Sequence, residues 1–150
     1  MKKSNSKFIY LVTELNGSVV VFREFSNLDF RPIQNLSTFP PTYKGPFGGA
    51  DIHISPDGKF LYTSNRGNSN TIAIFSIEAA TGKLTSVGHQ FTNGIKPRNF
   101  NFDPSGNFLL VANQDSGGIV IFKRDKTTGL LTDSGKRINV ANPVCIKWIN

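Results

Sequence analysis

Ser55-Pro56-Asp57-Gly58-Lys59-Phe60-Leu61-Tyr62-Thr63-Ser64-Asn65-Arg66 recurs 48 residues later as Asp103-Pro104-Ser105-Gly106-Asn107-Phe108-Leu109-Leu110-Val111-Ala112-Asn113-Gln114. Pro, Gly, Phe, Leu and Asn hold their places, and the likeness runs on. Ile72-Ala73-Ile74-Phe75 matches Ile119-Val120-Ile121-Phe122, and Thr81-Gly82-Lys83-Leu84 matches Thr128-Gly129-Leu130-Leu131. A third copy opens the chain, with Phe8-Ile9-Tyr10-Leu11-Val12-Thr13-Glu14 in the place of the Phe60–Arg66 stretch and Val19-Val20-Val21-Phe22 in that of Ile72–Phe75. A period of this length marks a repeat architecture in which each unit buries its apolar face only against its neighbours.

Each full unit reads as four strands. In the first, Asp51 and His53 alternate with Ile52 and Ile54, the period of two of a half-buried strand. The Pro-Asp-Gly turn ends it, since Pro presets φ and Gly accepts a positive one. Strand two covers Phe60 to Ser64, and strand three covers Thr71 to Ile77, rich in β-branched residues. After the Thr81-Gly82 turn, strand four runs from Leu84 to Phe91. Short, evenly spaced strands with this period predict an all-β fold, a β-propeller of four-stranded antiparallel blades. About three blades are present in one partial domain. Residues 7–47 form a blade lacking its first strand, 48–95 and 96–142 form full blades, and 143–150 form an orphan first strand. Propellers close with about four to eight blades, so either further blades precede these or copies associate to close a ring.

Hydrophobic residues make up 38% of the 150, with 13 Phe, a globular composition. Cys145 has no partner for a disulfide and reads as a small buried residue of an apolar strand. No apolar stretch follows Met1-Lys2-Lys3-Ser4-Asn5, and no segment has the length of a membrane span, so a cytoplasmic protein that engages no membrane is expected. The net charge of +7 is scattered. Its densest run, Lys123-Arg124-Asp125-Lys126, is broken by an Asp, unlike the basic stripe with stacking aromatics of a nucleic-acid surface. Such a charge suits a small anionic substrate equally well. No Gly-x-Ser-x-Gly elbow is present, and two His with one Cys make no standard zinc set, so neither metal nor cofactor is expected.

Antiparallel geometry puts the segments before strand one and after strand two on the same face. The first set is Gly48-Gly49-Ala50-Asp51, Lys96-Pro97-Arg98-Asn99 and Asn142-Pro143; the second is Glu14, Arg66 and Gln114, equivalent positions of successive blades. Three different polar residues at one repeat position mark a ligand site or a freely varying loop. Arg98 and Gln114 are candidate substrate-binding residues. So are Asp51 and His53, on one side of an inner strand, which can equally serve a hydrogen-bonded network between blades. His89, in an outer strand, reads as solvated.

Asn65-Arg66-Gly67 after Ile54-Ser55-Pro56-Asp57-Gly58, with Thr13-Glu14-Leu15-Asn16, Lys96-Pro97-Arg98-Asn99-Phe100 and Ala112-Asn113-Gln114-Asp115-Ser116-Gly117, together resemble the propeller lactonase family. That family includes the propeller-type 6-phosphogluconolactonases and the carboxymuconate-lactonising enzymes. The resemblance implies a seven-bladed ring of which this sequence looks like the C-terminal three-sevenths. It also implies hydrolysis of a sugar-acid lactone, 6-phosphogluconolactone first, without metal. The family's site uses a His, two Arg and a Glu. Its Glu matches Glu14, although Thr13 replaces the family's Asn, and one Arg matches Arg66, so Glu14 and Arg66 are the candidate catalytic pair. The other Arg and the His have no equivalent here, His53 being a different, mid-strand position. The alternatives are an inter-blade ion pair for Glu14 and Arg66, and a non-catalytic binding scaffold for the whole.

Overall fold

A computed structural model describes residues 7–149. Outside the described residues lie Met1–Asn5, read above for a leader, and Asn150, the end of the expected strand 143–150. Among the described residues, eleven strands form three antiparallel sheets. The first holds β1 (Phe8–Thr13), β2 (Ser18–Ser26) and β3 (Asp29–Ser37) in that order. The second runs β4 (Gly49–Ile54), β5 (Phe60–Asn65), β6 (Thr71–Ile77) and β7 (Leu84–Phe91). The third repeats it with β8 (Pro97–Phe102), β9 (Phe108–Asn113), β10 (Gly118–Arg124) and β11 (Leu131–Ile138). Each sheet is a meander of strands joined to their sequence neighbours, and β4 and β8 are innermost: β4 runs beside β1, and β8 beside β4. β3 tolerates Pro32 because it is an edge strand, where a missing N–H need cost no ladder bond.

The repeated residues recur because they make the same bonds in each unit. In the hairpin after β4, Gly58 N–H donates to Ser55 O at 2.8 Å, and Phe60 N–H donates to Ser55 Oγ at 3.0 Å. After β8, Asp103 takes both places, with Gly106 N–H to its carbonyl at 2.9 Å and Phe108 N–H to its carboxylate at 2.7 Å. Asn65 Nδ2–H donates to Thr38 O at 2.5 Å, and Asn113 Nδ2–H to Thr92 O at 3.1 Å, so each strand-two Asn holds the linker that enters its own blade. Between blades, Tyr10 O–H donates to Gly82 O at 2.8 Å and Tyr62 O–H to Gly129 O at 2.6 Å. The core is accordingly interfacial. One cluster, including Val19, Val21, Leu61, Phe75 and Leu84, lies between the first two sheets; another, including Tyr62, Ile74, Phe100, Leu109 and Phe122, lies between the second and third.

Arg124 of the basic run is fully buried. Its Nη2 donates to both carboxylate oxygens of Asp57, at 2.9 and 2.6 Å, its Nη1 to Gly106 O and its Nε to Tyr62 Oη, each at 3.2 Å. The charge thus fastens the second blade to the third.

Three expectations are corrected. Residues 143–149 are not a strand: among the described residues no strand pairs with them, and side chains hold Ile146 to β8, its N–H donating to Asn99 Oδ1 at 2.7 Å and its carbonyl accepting from Asn101 Nδ2 at 3.1 Å. Cys145 in that segment is therefore exposed, not buried. His89 is half-buried, and its Nε2 lies 3.0 Å from Thr38 O; burial lowers its pKa, the bond to Thr38 opposing part of the shift.

Candidate active site

Gly49 starts β4 against the end of β1, and a Cβ there would stand 2.7 Å from Thr13 O. Only glycine permits that approach, and it brings two chain segments together. Gly49 N–H donates to Glu14 O at 3.0 Å and Arg66 N–H to Gly48 O at 2.7 Å. Glu14, one residue beyond β1, and Arg66, one beyond β5, thereby meet: Arg66 Nη2 donates to Glu14 Oε1, and also to Gly49 O at 3.2 Å. The Arg66 side chain is 17% exposed and that of Glu14 62%, so the cation is fixed against the blade while the carboxylate faces solvent. Arg66 Nε is buried without a hydrogen-bond partner.

Val12, Glu14, Gly49, Ala50, Arg66 and Arg98 line a pocket of about 370 Å³. Three of the six candidate residues therefore converge there, from three successive blades. A neighbouring cleft shares Glu14 and Arg66 and adds Phe47, Lys96 and Asp115, the last two paired at 3.4 Å. The sequence did not single out Phe47, Lys96 or Asp115; the signal for Asp115 was its place directly after Gln114, in the stretch that follows strand two.

The structure does not bring the other candidates into this pocket. Gln114 lines neither space; its N–H donates to Lys96 O at 3.0 Å and its Oε1 is buried without a partner. Asp51 Oδ2 lies 3.1 Å from His53 Nε2 and accepts from Asn99 Nδ2 at 2.6 Å and from Phe100 N–H at 3.0 Å. Asn99, at the equivalent position, accepts from Ile146 N–H in the same way. These side chains tie β4 to β8, and β8 to the segment 143–149. Burial works to raise the Asp51 pKa, but the His53 and Phe100 bonds prevail and lower it, so Asp51 serves as an ionised acceptor.

Repeated antiparallel meanders, whose inner strands lie side by side from one to the next, define successive blades of a β-propeller. The model of the lactonase family of seven-bladed β-propellers matches residues 2–148, and the chain belongs to that family. It is 50% identical over 129 residues to a 6-phosphogluconolactonase of Formosa agariphila, covering 85% of this chain and 36% of the relative. With the Bacillus subtilis 6-phosphogluconolactonase it shares 37% identity over 145 residues, 96% of this chain and 41% of the relative. Among solved structures, the Pseudomonas aeruginosa periplasmic gluconolactonase superposes with a TM-score of 0.94 at 33% identity, over 100% of this chain and 41% of that one. The chain thus spans about two fifths of the length of these relatives.

Proposed function

We propose that this chain contributes to the active site of a lactonase that opens a sugar-acid lactone, with 6-phosphogluconolactone the leading substrate. The observation that carries the reading is the meeting of Glu14 and Arg66 in one polar pocket, in a member of the lactonase family. In the reaction, the oxygen of water bonds to the ester carbonyl carbon and the carbonyl oxygen takes up negative charge. The ring C–O bond then breaks, and the ring oxygen leaves as a hydroxyl after gaining a proton. Glu14 takes the proton from the attacking water and returns one to the ring oxygen. Arg66, held in place by Gly49 O, supplies guanidinium N–H groups to the carbonyl oxygen as its charge develops. Relatives named 6-phosphogluconolactonase support this substrate class.

Glu14→Gln and Arg66→Ala, made in the complete protein, are expected to lower lactone hydrolysis by roughly 100-fold or more, with melting temperature measured alongside. Unchanged rates would sink the reading. A binding scaffold is the second reading, favoured by the fact that the Glu14–Arg66 pair itself straps the first blade to the second. On that reading both variants lower the melting temperature and no lactone is turned over by the unaltered protein.

A further inference from the structure

The charged side chains that line the pocket are one carboxylate, Glu14, and two guanidinium groups, Arg66 and Arg98. Glu14 neutralises Arg66. The nearby Lys96 is balanced by Asp115. Arg98 has no hydrogen-bond or ion-pair partner among the described residues, which leaves the pocket with one uncompensated positive charge. The backbone builds this position. In the ladder between β8 and β9, Pro97 pairs with Asn113 and Asn99 with Ala112, so Arg98 is the extra residue of a β-bulge. Lys96, at φ 62°, and the buried Pro97 fix how the chain enters the bulge. Bulges re-aim side chains and gather beside active sites. One blade earlier the same repeat position is Ala50, inside another bulge and lining the same pocket, where its methyl group leaves the space open.

We infer that Arg98 is a specificity-determining residue: its guanidinium binds the phosphate monoester of a phosphorylated sugar lactone while Glu14 and Arg66 act at the lactone carbonyl. The inference rests on the lactonase reading. A planar fork of N–H donors matches phosphate oxygens in pairs, which an ammonium does not, so lysine is only a partial substitute. The phosphate is also what distinguishes a 6-phosphogluconolactone from a gluconolactone, the two substrates that the names of the relatives carry.

The test is kcat/KM of the complete protein for 6-phosphogluconolactone and for unphosphorylated gluconolactone. Arg98→Ala is expected to lower the first roughly 10- to 100-fold, through KM, and to leave the second within about twofold. Arg98→Lys should recover part of the loss. Arg98 is exposed, and an unchanged melting curve checks that the fold survives its replacement. An equal fall for both lactones, no change for either, or a wild-type protein that opens only the unphosphorylated one overturns the inference. If the wild type opens neither, the lactonase reading fails separately, and titration with inorganic phosphate followed by NMR decides on Arg98: weaker binding by Arg98→Ala supports the anion site, and identical titrations overturn it.

Discussion

Single residues carry much of the bonding between blades. Asp57 has a pKa of about 2 against an ordinary 3.8: burial pushes it up, but hydrogen bonds from Ser55 Oγ and Arg124 outweigh that. Because the folded value lies below the unfolded one, the unfolded chain takes up the proton first as the medium is acidified. The stability this contributes is present above about pH 4 and lost as the pH falls through about 2. Urea unfolding across that range should show it, and Asp57→Asn should lack that part of the pH dependence. At neutral pH the same variant leaves the Arg124 charge buried without its counter-ion, an expected loss of about 3–5 kcal/mol. His89 works in the same direction over a higher range. Its folded pKa is depressed below the unfolded value of 6.5, so its contribution is complete above that pH and is lost as the pH falls through the folded value. Asn113→Ala strips Thr92 O of its buried donor and is expected to cost about 1–3 kcal/mol, read as a lower denaturant midpoint.

At the scale of the element, turns are the rigid points. Gly129 sits at φ 78° in the hairpin between β10 and β11, and a Cβ there would fall 2.5 Å from the Phe60 ring of the preceding blade. Gly129→Ala therefore meets both backbone strain and a clash that Phe60 must move to relieve. The expected destabilisation is about 2 kcal/mol or more, measured by thermal or urea unfolding. The Thr-Gly pair was legible in the sequence as a turn. That its glycine is also the seat of the neighbouring blade's aromatic ring was not, because that contact spans 69 residues and leaves no local pattern. The bulge at Arg98 was hidden for a related reason, since an unpaired residue in a strand is defined by its partner strand.

For the whole molecule, the first sheet shows what lies uncovered. Ile9 and Leu11 are 45% and 49% exposed, whereas Leu61 and Thr63, the same positions one blade on, are fully buried. The outer face of β1 has the apolar character of a blade interface and nothing among the described residues covering it. Such faces and their strand edges drive association. This chain on its own is expected to show a mass that rises with concentration in light scattering, and Ile9→Lys with Leu11→Lys should suppress the rise. A constant monomeric mass for the unaltered chain would contradict this.

Local sequence was enough to read the blade, its period, the strands of the second unit close to their observed bounds, and the shared face of the segments that carry Glu14, Arg66 and Arg98. Those follow from local alternation, turn chemistry and repetition, which one chain segment carries alone. It did not determine the fate of residues 143–149, because a segment becomes a strand only when a partner offers a ladder. Nor did it separate the residues that enter the pocket from those that bind blade to blade. Asp51, Asn99 and Arg66 are all polar side chains near the same mouth. Asp51 and Asn99 link inner strands while Arg66 and Arg98 line the pocket, a division set by what the neighbouring blades place beside each side chain.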